Sequence, residues 1–554
     1  MTRVSPGAAP DLVLLAGGVW TGLSDGAAGV DAIAVSAGRI AAVGRREEIR
    51  SLAGRATRVV DMPGALITPG FQDAHVHPGI GGLHVIRCDL HDLRGAAVVV
   101  DHIARYAVDH PTEWWVRGGG WHMADFPGGL PSRHLLDAAL PDRPVFLTNR
   151  DEHGAWVSSK GLELLGIGRG TPDPADGRIE REPDGSPQGT LHEGAAYAAA
   201  ERLPATTDAE RDRALTAAQA HLQSLGITAW QDAWVTPETL AAYLRLAAVG
   251  GLTARVRAGL WWDRHAGLEQ IPALVEQRRT GTVGRVHAGT VKIMGDGVLE
   301  NRTGAMLEPY VDEAGHPTTE RGLAFVEPPL LTEAAIRLDA AGFQVHVHAI
   351  GDRAVRNALD AFEAALRANG RRGNRHHIAH LQVVHPSDVP RFAALGVTAN
   401  MQPLWACHGG QMDELTIPFL GPERAGWQYP FASLAKAGAR LAGGSDWSVS
   451  SANVLEEVHV AVNRSNPDEG IDLPPFLPGE ALEIDTALRA YTAGSAYVNH
   501  LDAETGTIVP GKLADLTILD RDVRAVDPSL LREARVLATV VEGEAVFALE
   551  GYGW

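Results

Sequence analysis

The sequence predicts an α/β protein: a (β/α)8 TIM barrel with a large insertion after its first strand, plus a small β-sandwich domain formed from both termini. Three observations carry this. The chain has 554 residues, too long for one ordinary domain and suited to one large domain with a smaller companion. Its two ends share a texture of short apolar runs broken by glycine. Between them, apolar runs alternate with Ala/Leu/Arg-rich stretches of helical spacing, the pattern of a parallel sheet with crossover helices.

At the N-terminal end, strands are expected at 11–16, 31–35, 39–44 and 58–61, and at the C-terminal end at 506–509, 515–520, 536–541 and 545–549. Neither set is long enough to close a β core alone, so residues 1–68 and 500–554 are expected to form one composite β domain. The barrel is expected over 69–499. Its candidate strands are 65–77, 226–232, 254–262, 289–297, 343–349, 376–382, 396–402 and 440–446. Helical runs follow at 236–248, 352–369 and 386–395. About 150 residues separate the first two barrel strands, far beyond a normal βα connection. That segment, 79–224, has strand-like runs of its own at 113–117 and 144–148 and a helical run at 206–223. It reads as an insertion over the C-terminal mouth, where barrels of this kind place their sites.

Composition narrows the function. Apolar residues make up 45% and charged residues 21%, ordinary values for a globular chain. A net charge of −19 repels polyanions, which argues against nucleic acid as a partner and fits a cytoplasmic protein. The polar stretch 1–10 and the short apolar run 12–20 lack a basic leader and a cleavage site, and read as a strand rather than a signal peptide. No apolar stretch reaches membrane-spanning length, so no membrane partner is expected. Two cysteines, Cys88 and Cys407, make neither a disulfide framework nor a thiolate metal site.

The chemistry lies at strand ends. In Asp73-Ala-His75-Val-His77, residues two apart share a side of the strand, so His75 and His77 offer two imidazoles to a divalent metal. His346 and His348 repeat the spacing. His348 is nearer the mouth and is the expected ligand, with His346 a supporting or core histidine. His380 closes the sixth strand, whereas His376 and His377 lie at its opening end. Asp446 ends the eighth strand after small residues, where it could equally be a helix cap. Lys292 sits among Val291, Ile293 and Met294. The chain has only four lysines and writes arginine elsewhere, so a buried lysine needs a reason. One is pairing with Asp296. Another is chemistry closed to arginine: a neutral amine can form a carbamate, whose two oxygens can bridge metal ions.

The joint order of these residues on strands one, four, five, six and eight resembles the amidohydrolase superfamily in its two-metal form. The phrases Ile67-Thr-Pro-Gly-Phe-Gln-Asp-Ala-His75-Val-His77, Val291-Lys292-Ile-Met-Gly-Asp296-Gly, His346-Val-His348-Ala-Ile-Gly-Asp352 and Gly444-Ser-Asp446-Trp are similar to the amidohydrolase-3 or YtcJ-like branch, which includes N-substituted formamide deformylases. Gly118-Gly-Gly-Trp-His122, His153-Gly-Ala-Trp156 and Gly189-Thr-Leu-His-Glu193 extend the likeness through the insertion. The chain departs from the branch at Val157-Ser-Ser, Ala379-His380-Leu381 and Ser448, which alters the pocket but keeps the ligands.

The resemblance implies a divalent metal cofactor, zinc by ligand type, with one or two ions per chain. His75, His77 and Asp446 would hold one ion, His348 and His380 the other, and carbamylated Lys292 would lie between them. Asp446 would be the general base and acid, and Lys292 the second catalytic residue, for cleavage of a carbon–nitrogen bond other than a peptide bond. The insertion and later loops would line a pocket for a small-molecule substrate with Trp121, His153, Trp156, Trp405 and Trp447, and a homodimer is the assembly suggested by analogy. An N-substituted formamide with a hydrophobic group leads. Cyclic amides, carbamates, esters or lactones use the same chemistry, and a non-catalytic ligand-binding barrel is the reading from another class. A deaminase would need a glutamate near strand five, where only Asp352 is found.

Overall fold

The computed structural model describes residues 9–23, 29–467, 473–552 and 554. Most of the polar N-terminal stretch read from the sequence, up to residue 8, lies outside them.

Eight strands run parallel in one sheet: Phe71–Val76, Ile227–Val235, Arg255–Trp261, Val286–Met294, Gln344–Ala349, His377–His380, Thr398–Met401 and Leu441–Gly443. All neighbouring ladders are parallel. The sheet closes on itself between the eighth and first strands, where the Asp446 amide donates to the His75 carbonyl at 2.8 Å. Asn400 Nδ2 donates to the Ala74 carbonyl at 2.9 Å across the same seam. This is a (β/α)8 barrel, and the main apolar core fills the layer between its strands and its outer helices. Helices Pro237–Ala248, Asp352–Asn369 and Val389–Leu395 follow strands two, five and six as their spacing predicts.

The expected first strand at 65–77 is in fact two. Arg58–Pro69 belongs to the terminal sheet and Phe71–Val76 to the barrel. The break falls at Gly70, where a Cβ would lie 2.6 Å from the Thr228 side chain. Both termini join in a seven-stranded sheet ordered Glu544–Ala548, Val536–Val541, Leu516–Leu519, Arg58–Pro69, Leu12–Val19, Ala32–Ser36 and Arg39–Gly44. The run 506–509, expected as a strand, is bend and coil; its Ile508 amide donates to the carbonyl of Thr21, two residues past strand Leu12–Val19, at 2.9 Å.

Within 79–224, six strands form a separate mixed sheet: Gly177–Arg181, Pro187–Glu193, Gly154–Val157, Val145–Asn149, Val116–Trp121 and Cys88–Asp89. Helix Asp208–Ser224 then leads back to the barrel, opened by a Thr207–Glu210 capping box. Cys88 and Cys407 are both buried and neither is in a disulfide. Among the described residues, no helix is long and apolar enough to cross a membrane.

Candidate metal centre

The barrel register brings the predicted ligands to one end. His75 lies on the first strand, and His77 follows directly as the residue before helix Pro78–Val85. Lys292 pairs with His346 and Met294 with His348 across strands four and five, and Ala349 pairs with His380. Asp446 comes three residues past the eighth strand. Its backbone (φ 56°) and that of His380 (φ 78°) are left-handed, a conformation that non-glycine residues rarely adopt and that turns the chain sharply at the strand end. Gly444 allows the approach, since a Cβ there would lie 2.6 Å from the His75 Cβ.

Asp446 Oδ1 stands 3.1 Å from His75 Nε2 and 2.8 Å from His77 Nε2, and Oδ2 is 3.9 Å from His380 Nδ1. The rings of His348 and His380 are 4.3 Å apart, and those of His75 and His380 4.7 Å. These are buried atoms without hydrogen-bond partners: His75 Nε2, His77 Nδ1, both nitrogens of His380, and Asp446 Oδ1. Stranded buried donors and acceptors are costly, and converging imidazole nitrogens around a carboxylate fit a divalent cation. His346 is not in the ring. Its Nε2 meets His75 Nδ1 at 2.9 Å, and a proton shared there on Nδ1 leaves the His75 Nε2 lone pair to face Asp446. His377 bonds Gln231, and His376 bonds Asp339.

Electrostatics favour the metal-competent forms. Burial, followed by the Lys292 charge, holds His75 and His348 well below the ordinary imidazole range. Burial, His348 and Lys292 do the same to His380. Burial also pulls the Lys292 amine down to about 7, against the opposing pull of Asp446. Lys292 does not pair with Asp296. That carboxyl accepts the amides of Ala305, Ile350 and Gly351 at 2.8, 3.0 and 2.9 Å.

The predicted pocket residues divide. Trp405 stacks on His380 at 5.1 Å and lines a cavity of about 420 Å³ together with Arg150, Asp151, Glu300, Gln382 and Met412. His153 stands 5.5 Å from the His348 ring. Its burial lowers its pKa, but the Glu193 carboxylate, 2.9 Å from Nδ1, outweighs this and raises it to about 9. Trp121 and Trp156 do not face the cavity. They are fully buried in the insertion's core with Phe126, their N–H groups bonded to the Leu147 and Ser132 carbonyls. Trp447 packs against Gly81 and stacks on His221 at 4.8 Å. The sequence reading missed Trp234 and Trp261, stacked 4.0 Å apart, with Trp234 6.3 Å from His77. Their signal was an aromatic residue at the C-terminal end of strands two and three. It also missed Glu193, which accepts from Thr303 Oγ1 at 2.6 Å and Asn301 Nδ2 at 3.2 Å.

A parallel barrel with buried histidines, a buried lysine and a carboxylate gathered at its mouth is the architecture of a metal-dependent hydrolase. The amidohydrolase family matches residues 58–547, and the chain belongs to that family. YtcJ of Bacillus subtilis (strain 168) is 29% identical, over 96% of this chain and 98% of its own. The N-substituted formamide deformylase of Arthrobacter pascens is 30% identical, over 92% and 94%. The crystal structure of an uncharacterized metal-dependent hydrolase from Pyrococcus horikoshii OT3 superposes with a TM-score of 0.72 at 26% identity, covering 93% of this chain and 99% of that one.

Proposed function

We propose that the protein hydrolyses a carbon–nitrogen bond of amide type in a small molecule, with an N-substituted formamide bearing a hydrophobic group as the leading substrate. The observation that carries this reading is the buried set of unpartnered imidazole and carboxylate atoms around Asp446. The likeness to a formamide deformylase supports the substrate class.

His75, His77, Lys292, His348, His380 and Asp446 are the residues to hold one or two divalent ions, and zinc suits so imidazole-rich a set. Bound there, such an ion supplies a Lewis acid and lowers the proton affinity of water. The remaining work falls to the side chains. The Lys292 amine, pulled to about 7, can add carbon dioxide in its neutral form: nitrogen bonds the carbon, one proton leaves to solvent, and the neutral amine becomes an anionic two-oxygen ligand. Asp446 accepts the proton of the attacking water and returns it to the leaving nitrogen. His153, kept protonated by Glu193, has Nε2–H to offer a carbonyl oxygen as charge develops on it. Trp405 gives the hydrophobic substituent a face to lie on in the cavity.

The test is a hydrolysis panel of N-benzylformamide, other linear amides, cyclic imides, lactones and aryl esters. Each is run with chelator-stripped protein and with protein reloaded with zinc or manganese. Metal-restored amine release from the formamide is expected. Metal-restored cleavage of lactones or esters alone would discard the amide substrate, and no metal-dependent turnover on any of them would count against hydrolysis itself.

A further inference from the structure

Outside the barrel, a second group of metal-ligating side chains gathers where the insertion meets the first barrel helix. His84 ends helix Pro78–Val85, His91 follows strand Cys88–Asp89, and Glu152 occupies the turn between strands Val145–Asn149 and Gly154–Val157. One donor atom from each lies within 4.8 Å of the others. The side chains of His84, His91 and Glu152 are 7%, 14% and 13% exposed. None belongs to the barrel centre.

We propose that His84, His91 and Glu152 form a second divalent-metal site, for an ion of the zinc or cobalt type, that ties the insertion to the first barrel helix.

The distances carry it. His84 Nδ1 and His91 Nε2 are 3.4 Å apart, long for a hydrogen bond and close to the edge of a tetrahedron, about 3.3 Å for metal–nitrogen bonds of about 2.0 Å. Glu152 Oε1, which also accepts from Thr148 Oγ1 at 3.3 Å, lies 3.4 Å from the other nitrogen of His84, and it joins the site within the 4.8 Å that spans one donor atom from each residue. The tautomer is set as metal histidines require. Asp89 Oδ1 receives His91 Nδ1–H at 2.6 Å, which leaves the Nε2 lone pair turned toward His84, the carboxylate–histidine pattern that supports a bound ion. The backbone also makes room. A Cβ on Gly119 would lie 3.2 Å from His84 Cε1, and one on Gly120 2.4 Å from His91 Nδ1. Burial holds the His84 imidazole neutral, at about 3, and pushes the Glu152 carboxyl up to about 8.

The consequence is positional. Helix Pro78–Val85 starts immediately after His77, and Glu152 directly precedes His153. An ion here would clamp the turn that carries His153 to the helix that leaves the barrel centre.

The deciding measurement is anomalous scattering at the zinc edge from crystals of the full chain soaked in zinc chloride. A peak within bonding distance of His84 and His91 is expected, and its absence overturns the site whether or not the barrel centre is filled. A second measurement is the zinc content of His91→Asn and Glu152→Gln after dialysis against zinc, with circular dichroism to confirm folding. Each folded variant should retain one equivalent less per chain than the parent, and unchanged content in both would also overturn the proposal.

Discussion

Asp446 touches His75 and His77 through one oxygen and approaches His380 through the other, so ligation and proton transfer are separable by a substitution that keeps the shape. Asp446→Asn should retain most of the bound metal yet lose about three or more orders of magnitude in turnover. Near-normal kcat with full metal content would remove Asp446 from the proton path. Lys292→Ala should abolish activity, and millimolar acetate or propionate should restore part of it by supplying the missing carboxylate oxygens. Absence of rescue in a folded, metal-replete variant would argue against a carbamate. Both residues were legible in the sequence for different reasons. Asp446 stood out through its order with the histidines, and Lys292 through lysine's rarity in this chain and its apolar neighbours. Glu193 was not legible. Its partners His153 and Thr303 are 40 and 110 residues away, and only folding of the insertion brings them together.

At the scale of elements, periodicity located the barrel strands but not their ends. An apolar run does not distinguish one strand from two that change sheets, so the break at Gly70 was hidden until Thr228 packed against it. Trp121 and Trp156 carried the right composition for a pocket, but which face a tryptophan takes depends on the sheet that Val116–Trp121 and Gly154–Val157 join. The fifth strand shows how a site strand is held from behind. His376 Nδ1 accepts the Val345 amide at 3.0 Å, and its Nε2–H donates to Asp339 Oδ1, also at 3.0 Å. Asp339 closes helix Pro328–Ala340 and also accepts from Asn369 and Asn374 at 2.8 and 2.6 Å. Burial raises its carboxyl, but the bonds from His376, Asn369 and Asn374 outweigh it and hold the pKa below its ordinary value. A depressed carboxylate contributes stability that is present above its unfolded pKa, about 3.9, and is lost as pH falls through the folded value. Asp339→Asn should therefore cost about 1–2 kcal/mol in urea unfolding from pH 5 to 8, with the gap to the parent closing below about pH 4. A gap that widened in acid would contradict this account.

For the whole molecule, the question is what fastens the terminal sheet to the barrel. Arg255 opens the third barrel strand and is buried. Its guanidinium bonds the carboxylates of Asp515, just before strand Leu516–Leu519, and Glu542, just after the neighbouring antiparallel strand Val536–Val541, and Arg285 adds a second contact to Glu542 at 3.0 Å. Asp515 also receives the Glu542 amide at 2.9 Å, and its carbonyl accepts the amide of Gly70, the hinge between the two sheets. Burial pushes the Asp515 carboxyl up and Arg255 opposes that shift. Removing only the cation strands a buried carboxylate, so Arg255→Met should destabilise the protein by about 3–5 kcal/mol. Changing Asp515 to Asn in the same chain removes the stranded charge and keeps an acceptor for the Glu542 amide, so it should recover most of the loss. Equal destabilisation in the single and double variants would mean that the loss comes from packing of the arginine stem. A single variant as stable as the parent would place the fastening in the apolar contacts of the two sheets instead.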